Sequence, residues 1–289
     1  MKISGILEEL MAVLDAIRPR KGQQIVVKLG GSAMEQAESV QATLRSIAAL
    51  HDLGLKPILV HGGGKAIDRA MNKAGLIPKK IQGRRYTDEQ TLTVVVEVLT
   101  QEINADLCRN LQNFGVDAVP VYGENQALFG ERLLLPGLDL EPIDLGRVGN
   151  VNRVETKLLN DLTHNGKIPV IPSLAQDGLG WLNVNADTAA CAVAAALKVP
   201  KLLLMTDTPG ILRDHKDPTS LIPKLNRAET LSLIQQGVID GGMIPKVEAC
   251  LEALEAGVGS TKIIDGREKY SLLMEWIPNA PAGTEIVLE

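Results

Sequence analysis

The chain has 289 residues, 45% of them hydrophobic and 22% charged, which is enough to bury a substantial core in one large α/β domain or two lobes. A formal charge of −5 and an aromatic content of 2% argue against a general nucleic-acid binder, which needs a basic surface to displace counterions and rings on which bases stack. The apolar run from Ala189 to Leu197 falls far short of the roughly 20 residues that cross a bilayer. No signal-peptide pattern opens the sequence, so a cytoplasmic protein without a membrane partner is expected. Cys108, Cys191 and Cys250 lie on apolar helical faces without the close Cys or His spacing of a zinc site. They read as reduced, mostly buried thiols, and neither they nor the histidines predict a metal site.

In chain order, Ile6, Leu10, Val13, Leu14 and Ile17 make an amphipathic helix ending at Pro19, whose apolar stripe must pack on the domain or on another subunit. A strand over 24–28 runs into the first glycine turn, Gly30-Gly31. A helix through Val40, Leu44, Ile47 and Ala48 then stops near Gly54, and a strand over 57–60 enters the triplet Gly62-Gly63-Gly64, with a helix from Lys65 through Ala74. Leu92, Val95, Val96, Leu99, Ile103, Leu107 and Leu111 keep a period near 3.6 until Phe114-Gly115, where glycine can take the left-handed stop. A strand over 117–121 precedes a stretch from Gly123 to Val154 in which repeated Gly and Pro favour hairpins over helix. Further strands are expected over 168–171, 201–205 and 261–264, and Ser173 to Gly180 reads as a boundary between lobes. Short apolar runs alternating with helical periodicity predict a mostly parallel sheet covered on both faces.

Two glycine-rich turns, each after a short apolar strand, read as a cradle for anions, because glycine lets the main chain approach a ligand and amides entering a helix point at negative charge. Lys28, two residues before Gly30, suits a phosphate beside those amides; the other use of such a lysine is snorkelling to solvent. The spacing fits neither a Walker A loop nor a dinucleotide fingerprint. Asn183-Val-Asn-Ala-Asp187-Thr188 leads into an alanine-rich helix with Asp187 in its first turn, where helix capping is the simpler role. Lys201 to Gly210 is a buried strand ending in the polar turn Thr206-Asp207-Thr208-Pro209-Gly210, at the sheet edge where α/β ligands sit. In Asp240-Gly241-Gly242-Met-Ile-Pro245-Lys246, Pro245 suits the first helical position and Lys246 opposes the helix dipole, which is unfavourable unless an anion joins it.

Taken together, Lys28-Leu-Gly-Gly, His61-Gly-Gly-Gly, Gly83-Arg-Arg-Tyr-Thr-Asp88, Asn183-Val-Asn-Ala-Asp187-Thr-Ala-Ala, Thr206-Asp-Thr-Pro-Gly-Ile-Leu212 and Gly241-Gly-Met-Ile-Pro-Lys246 resemble, in order from about Gln24 to Val287, the amino-acid kinase superfamily and, within it, the acetylglutamate kinase family of arginine biosynthesis. The resemblance implies a three-layer αβα sandwich around a mostly parallel central sheet. It divides the chain into an amino-terminal helix over 1–20 that serves oligomerisation, an acyl-amino-acid-binding lobe over 21–175 and an ATP-binding lobe over 176–289. ATP, carrying Mg2+, would be the phosphoryl donor, and the side-chain carboxylate of N-acetyl-L-glutamate the acceptor. Lys28 and Lys246 would neutralise the transferred group while Asp187 orients both. Gly63, Gly64, Arg85, Asn183 and Asn185 would hold the acceptor, and Gly30, Gly31, Thr206, Asp207 and Gly242 the nucleotide and its phosphates. The amino-terminal helix resembles a hexamer-forming extension, which implies a homo-oligomer, a hexamer among its forms, with arginine as feedback inhibitor.

The sequence also departs from that family. Arg84 stands where an apolar residue is common before the substrate-binding arginine, and it is expected to point to solvent, though a guanidinium there could also strengthen carboxylate binding or change the preferred acceptor length. Gln82 replaces a frequent asparagine, and the ending Leu272-Leu-Met-Glu-Trp276-Ile-Pro-Asn resembles the arginine-inhibited members only loosely. A kinase for a related acylated acid such as an aminoadipate derivative, and a regulatory ligand-binding protein on the same fold, remain as alternatives.

Overall fold

In the computed structural model, which describes residues 3–137, 141–277, 280 and 282–289, strands and helices alternate as the periodicity predicts. Helix α1 (Ile3–Ile17) turns through Pro19 into β1 (Gln24–Leu29), and α2 (Ala37–Asp52), β2 (Lys56–His61) and α3 (Gly64–Lys73) follow. A short hairpin of β3 (Lys80–Ile81) and β4 (Arg84–Arg85) comes next. Helices α4 (Glu89–Glu97) and α5 (Ala105–Asn113) are joined by a π-helical segment, Val98–Asn104, where the sequence predicts one uniform helix. The chain continues through β5 (Asp117–Pro120), β6 (Leu128–Leu135), β7 (Ile143–Val154), α6 (Thr156–His164), β8 (Lys167–Pro172), β9 (Leu174–Asp177), β10 (Gly180–Val184), α7 (Ala186–Leu197) and β11 (Lys201–Thr206). It ends with β12 (Lys224–Leu225), α8 (Arg227–Gln235), α9 (Ile244–Glu255), β13 (Ser260–Asp265), α10 (Ser271–Met274) and β14 (Thr284–Ile286).

The main sheet runs β12-β14-β13-β11-β1-β2-β8-β5, parallel throughout except where β14 lies antiparallel to β13. Its strands read as unbroken apolar runs because both faces are covered, and alternate side chains go to opposite layers. Val26, Ile58, Leu202 and Leu204 pack with Ala190, Val193, Val247 and Leu251 of α7 and α9. Val27, Leu29, Leu59 and Leu203 pack with Leu44, Ile47, Leu107 and Leu111 of α2 and α5. Each such fully buried leucine or isoleucine contributes about 1.5–3 kcal/mol of transfer free energy. The predicted helix stops are present, since Gly54 and Gly115 take φ of +95° and +87°.

The glycine- and proline-rich stretch from Gly123 to Val154 forms the antiparallel β6–β7 hairpin, and residues 138–140 within it lie outside those described. The hairpin closes with β9 and β10 into a small barrel above the sheet. The turn residues Gln176–Gly180 close the β9–β10 hairpin of that barrel. At the amino terminus, Val13 and Ile17 of α1 pack on the core, whereas Leu7, Leu10 and Met11 are exposed. Ile6, also expected in that stripe, has a side chain outside those described.

Strand β1 decides where a ligand can sit. Its crossover leads to β2 on one side, while β11 flanks it on the other, so connections diverge at its carboxyl end and leave a crevice there. Lys28 and the first glycine turn occupy that end.

Candidate active site

Three charged side chains from distant parts of the chain meet at the crevice. Lys28 Nζ lies 2.7 Å from Asp187 Oδ1, and Lys246 Nζ lies 2.6 Å from Asp187 Oδ2. Lys28 and Asp187 are only 4% and 7% exposed. Burial alone would raise the pKa of Asp187, but the Lys28 and Lys246 ammoniums outweigh it and hold the carboxyl well below the usual carboxylate range. Burial lowers the pKa of Lys28, and the nearby Lys246 charge lowers it further, against the pull of Asp187. The site therefore holds two cations and one anion, a net positive charge facing the cavity.

Local structure explains the convergence. Asn185 caps α7, its Oδ1 accepting from the amides of Asp187 and Thr188 at 2.8 and 3.1 Å, which sets Asp187 in the first turn where the helix dipole favours an acid. Lys246 stands in the first turn of α9, and the anion needed to offset the dipole there is the Asp187 carboxylate. Helix α9 begins at Ile244, so Pro245 takes the second helical position rather than the first. Gly30 is the room into which Lys28 folds, because a Cβ on it would lie 2.8 Å from Lys28 Nζ.

A cavity of about 270 Å3 opens here, walled by Lys28, Gly31, the Gly62–Gly64 turn, Arg85, Asn183, Asn185, Asp187 and Lys246. Gly63 is the N-cap of α3 and no side chain caps that helix among the described residues, so its first amides face the site unclaimed. Arg85 Nη2 lies 2.6 Å from Asp68 Oδ1 and donates to the Gly64 carbonyl at 3.1 Å, which ties the arginine to the second glycine turn. Asn183 Nδ2 donates to Thr87 Oγ1 at 3.0 Å, and Thr87 Oγ1 donates to the Arg85 carbonyl at 3.0 Å. Of the remaining residues singled out in the sequence, Gly30 follows β1 and Thr206 ends the neighbouring strand β11, outside the residues that line the cavity. The Asp207 carboxylate is near enough to raise the pKa of Lys28. Gly242 lies in the turn Gly241–Met243 that leads into α9, beyond the cavity wall.

Arg84 corrects an expectation: it lines the cavity and is half-buried rather than pointing away to solvent. The β3–β4 hairpin brings it there, together with Lys80. Neither makes an ion pair with any described residue. The sequence marks neither Lys80 nor Asp68, and it marks Thr87 only as part of the Gly83–Asp88 motif and Ser173 only as the start of the expected lobe boundary. Nothing in their spacing marks them as site residues, since each reaches the site through a different element. The three cysteines are free and buried, and burial pushes the Cys250 thiol up to about 12, so a nucleophilic role has no support there. No helix among the described residues is long and apolar enough to cross a membrane.

An α/β sheet with two lysines bridged by a buried carboxylate, and glycine turns, at a topological switch point is the architecture of a small-molecule phosphotransferase, and the chain belongs to the amino acid kinase family, whose model matches residues 23–265. Acetylglutamate kinases are among its relatives over nearly the full length. The protein of that name from Heliobacterium modesticaldum is 41% identical over 98% of this chain and 97% of its own length. The one from Methanobrevibacter smithii is 40% identical over 99% of both. Among solved structures, carbamate kinase from Giardia lamblia bound to AMP-PNP superposes with a TM-score of 0.63 at 20% identity, over 93% of this chain and 99% of that one. N-acetylglutamate synthase from Neisseria gonorrhoeae complexed with coenzyme A and N-acetyl-glutamate superposes with a TM-score of 0.84 at 24% identity over 98% of this chain, which spans 63% of that longer protein. Both structural likenesses speak to the fold.

Proposed function

We propose that the protein transfers a phosphoryl group from ATP to the side-chain carboxylate of N-acetyl-L-glutamate, giving N-acetyl-L-glutamyl 5-phosphate in arginine biosynthesis. The observation that carries this reading is the Asp187 bridge between Lys28 and Lys246, set at two glycine turns. A side-chain carboxylate has a pKa of about 4 and is already ionised at neutral pH, so the reaction needs no general base. The obstacle is electrostatic, because two unit charges about 4 Å apart repel by roughly 4 kcal/mol at an effective dielectric of 20. Lys28 and Lys246 oppose that repulsion where the group moves, and the amides of Gly31, Gly63 and Gly64 hold its oxygens without reorganising. Both Asp187 oxygens are committed to lysines, so Asp187 organises the cations rather than binding metal. Mg2+ carried on the ATP phosphates would supply further charge neutralisation.

Acceptor and nucleotide divide across β1. On the side of residues 21–175, Arg85, Arg84 and Lys80 offer cations for the carboxylates of an acidic acceptor, with Gly63, Gly64, Asn183 and Asn185 around them. Arg85 already balances Asp68, so Arg84 and Lys80 carry the uncompensated charge. On the side of residues 176–289, Thr206 and Asp207 end β11 and, with Gly242 and the Gly30–Gly31 turn, form the edge for ATP. Work on such soluble substrates suits a cytoplasmic enzyme. Arginine as feedback inhibitor is supported by a second cavity, of about 500 Å3, near the end of α1, where Arg20 lies over the Trp276 ring at 5.6 Å and where a guanidinium would share the Glu285 carboxylate with Lys201, which lies 3.2 Å from it.

The purified protein with ATP, Mg2+ and N-acetyl-L-glutamate is expected to form an acyl phosphate that hydroxylamine traps as a hydroxamate, with the aminoadipate analogue a poorer acceptor. Lys28→Ala and Lys246→Ala should each lower kcat by at least about a hundredfold with little change in KM. No hydroxamate from the wild type would leave the regulatory reading, and wild-type turnover in either variant would remove the roles of the lysines. Millimolar arginine should slow the reaction, and an unchanged rate ends the feedback claim.

A further inference from the structure

His61 is the last residue of β2, fully buried, and directly precedes the second glycine turn. Its Nε2 lies 3.0 Å from Asn104 Nδ2, and its Nδ1 lies 3.2 Å from the Gly62 carbonyl. Asn104, also fully buried, donates from the same Nδ2 to the Val170 carbonyl at 2.9 Å, while Cys108 Sγ contacts its Oδ1 at 3.5 Å. A main-chain carbonyl only accepts, so the Val170 contact sets which end of the Asn104 amide carries nitrogen. The nitrogen must then donate to Nε2 as well. That leaves the imidazole proton on Nδ1, where it donates to the Gly62 carbonyl.

The consequence passes through one rigid unit. The Gly62–Gly63 peptide bond is trans, so the Gly62 C=O and the Gly63 N–H point in opposite directions within one plane. Holding the carbonyl on the buried imidazole turns the Gly63 amide away from it, on the side where the cavity lies. Packing closes the other route of escape, because a Cβ on Gly63 would lie 2.5 Å from Ile103 Cδ1 and 2.9 Å from Leu99 Cδ2. Leu99, Ile103 and Asn104 all belong to the π-helical segment. A π turn costs hydrogen-bond geometry and is found mostly where function needs a side chain re-aimed.

We infer that Asn104 and His61 are positioning residues for phosphoryl transfer, Asn104 holding the imidazole proton on Nδ1 so that the Gly62 carbonyl is pinned and the Gly63 amide is aimed at the reacting oxygens; the inference rests on the kinase reading above. Two variants separate this from a packing role. In His61→Asn the side-chain amide nitrogen falls where Nδ1 stands and still donates to Gly62, whereas in His61→Gln it falls where Nε2 stands and does not. Each leaves one buried partner unmatched, so a purely structural role would lower the urea midpoint of both and leave their kcat values alike. The expected result is a kcat at least about tenfold lower in His61→Gln than in His61→Asn, with the KM for ATP within about threefold in both. Equal kcat values overturn the inference. On the wild-type protein, 15N NMR of the imidazole is expected to show the Nδ1–H tautomer, and an Nε2–H tautomer overturns it whether or not the variants fold. If the wild type shows the Nδ1–H tautomer yet makes no acyl phosphate, the kinase reading fails and the catalytic part of the inference falls with it, while the hydrogen-bond arrangement stands.

Discussion

A buried carboxylate with an ammonium on each oxygen holds the two cations together. Removing the Asp187 carboxylate would leave the buried Lys28 ammonium without its partner, at a cost of about 3–5 kcal/mol, whereas removing either lysine leaves Asp187 paired with the other. His61 is constrained in the opposite way, by being kept neutral. Burial drives its pKa down to about 4 from 6.5, against a weak opposing effect of the Gly62 carbonyl. Between those values the unfolded chain binds a proton that the folded chain refuses, so stability falls as pH drops from 6.5 towards 4 and is unaffected by this group above 7. The loss amounts to about 3 kcal/mol across that window. Urea midpoints measured at pH 7, 5.5 and 4.5 should fall more steeply for wild type than for His61→Gln, and parallel curves would show that the histidine is not held neutral.

The elements that carry the site differ in how firmly they are held. Helices α7 and α9 pack on each other and on the sheet, and their amino-terminal turns place Asp187 and Lys246 without freedom to drift. The β3–β4 hairpin is the opposite case, two residues per strand joined by Gln82 and Gly83 at φ of +48° and +78°. Positive φ at both central positions is the turn that matches strand twist, and it favours Asn-Gly. Glutamine in that region is strained. Gln82→Asn should therefore stabilise the protein by a few tenths to about 1 kcal/mol, read as a higher urea midpoint. A lower midpoint would mean that Gln82 makes a compensating contact. The π segment between α4 and α5 is the third case, since the hydrophobic period through Leu99, Ile103 and Leu107 is that of an ordinary helix and carries no sign of the wider turn.

Across the whole molecule, α1 stands apart. Its last turns are anchored by Val13 and Ile17, yet Leu7, Leu10 and Met11 remain 55%, 51% and 50% exposed. An apolar helical stripe left in water suits burial against another copy of the chain, which supports the homo-oligomer expected from the sequence. Leu10→Glu should elute from size exclusion as a smaller species than wild type. Identical elution of the two would place the oligomer contact elsewhere or deny it.

Hydrophobic period alone determined six of the eight strands of the central sheet and several of its helices, because a doubly covered parallel sheet writes itself as apolar runs separated by amphipathic ones, whereas the short edge strands β12 and β14 carry too few residues to show a period. Glycine turns after two of those strands, with lysines beside glycines, pointed to phosphate chemistry and to Lys28 and Lys246, while Asp187 read as a helix-capping acid until the family resemblance set it between them. Only the tertiary structure decided that Asp187 bridges both lysines, that Arg84 faces the cavity and that Asn104 reaches His61. The reason is physical: periodicity reports which face of an element is buried, whereas these pairings are set by how separate elements cross, and single residues contribute no periodic signal to that.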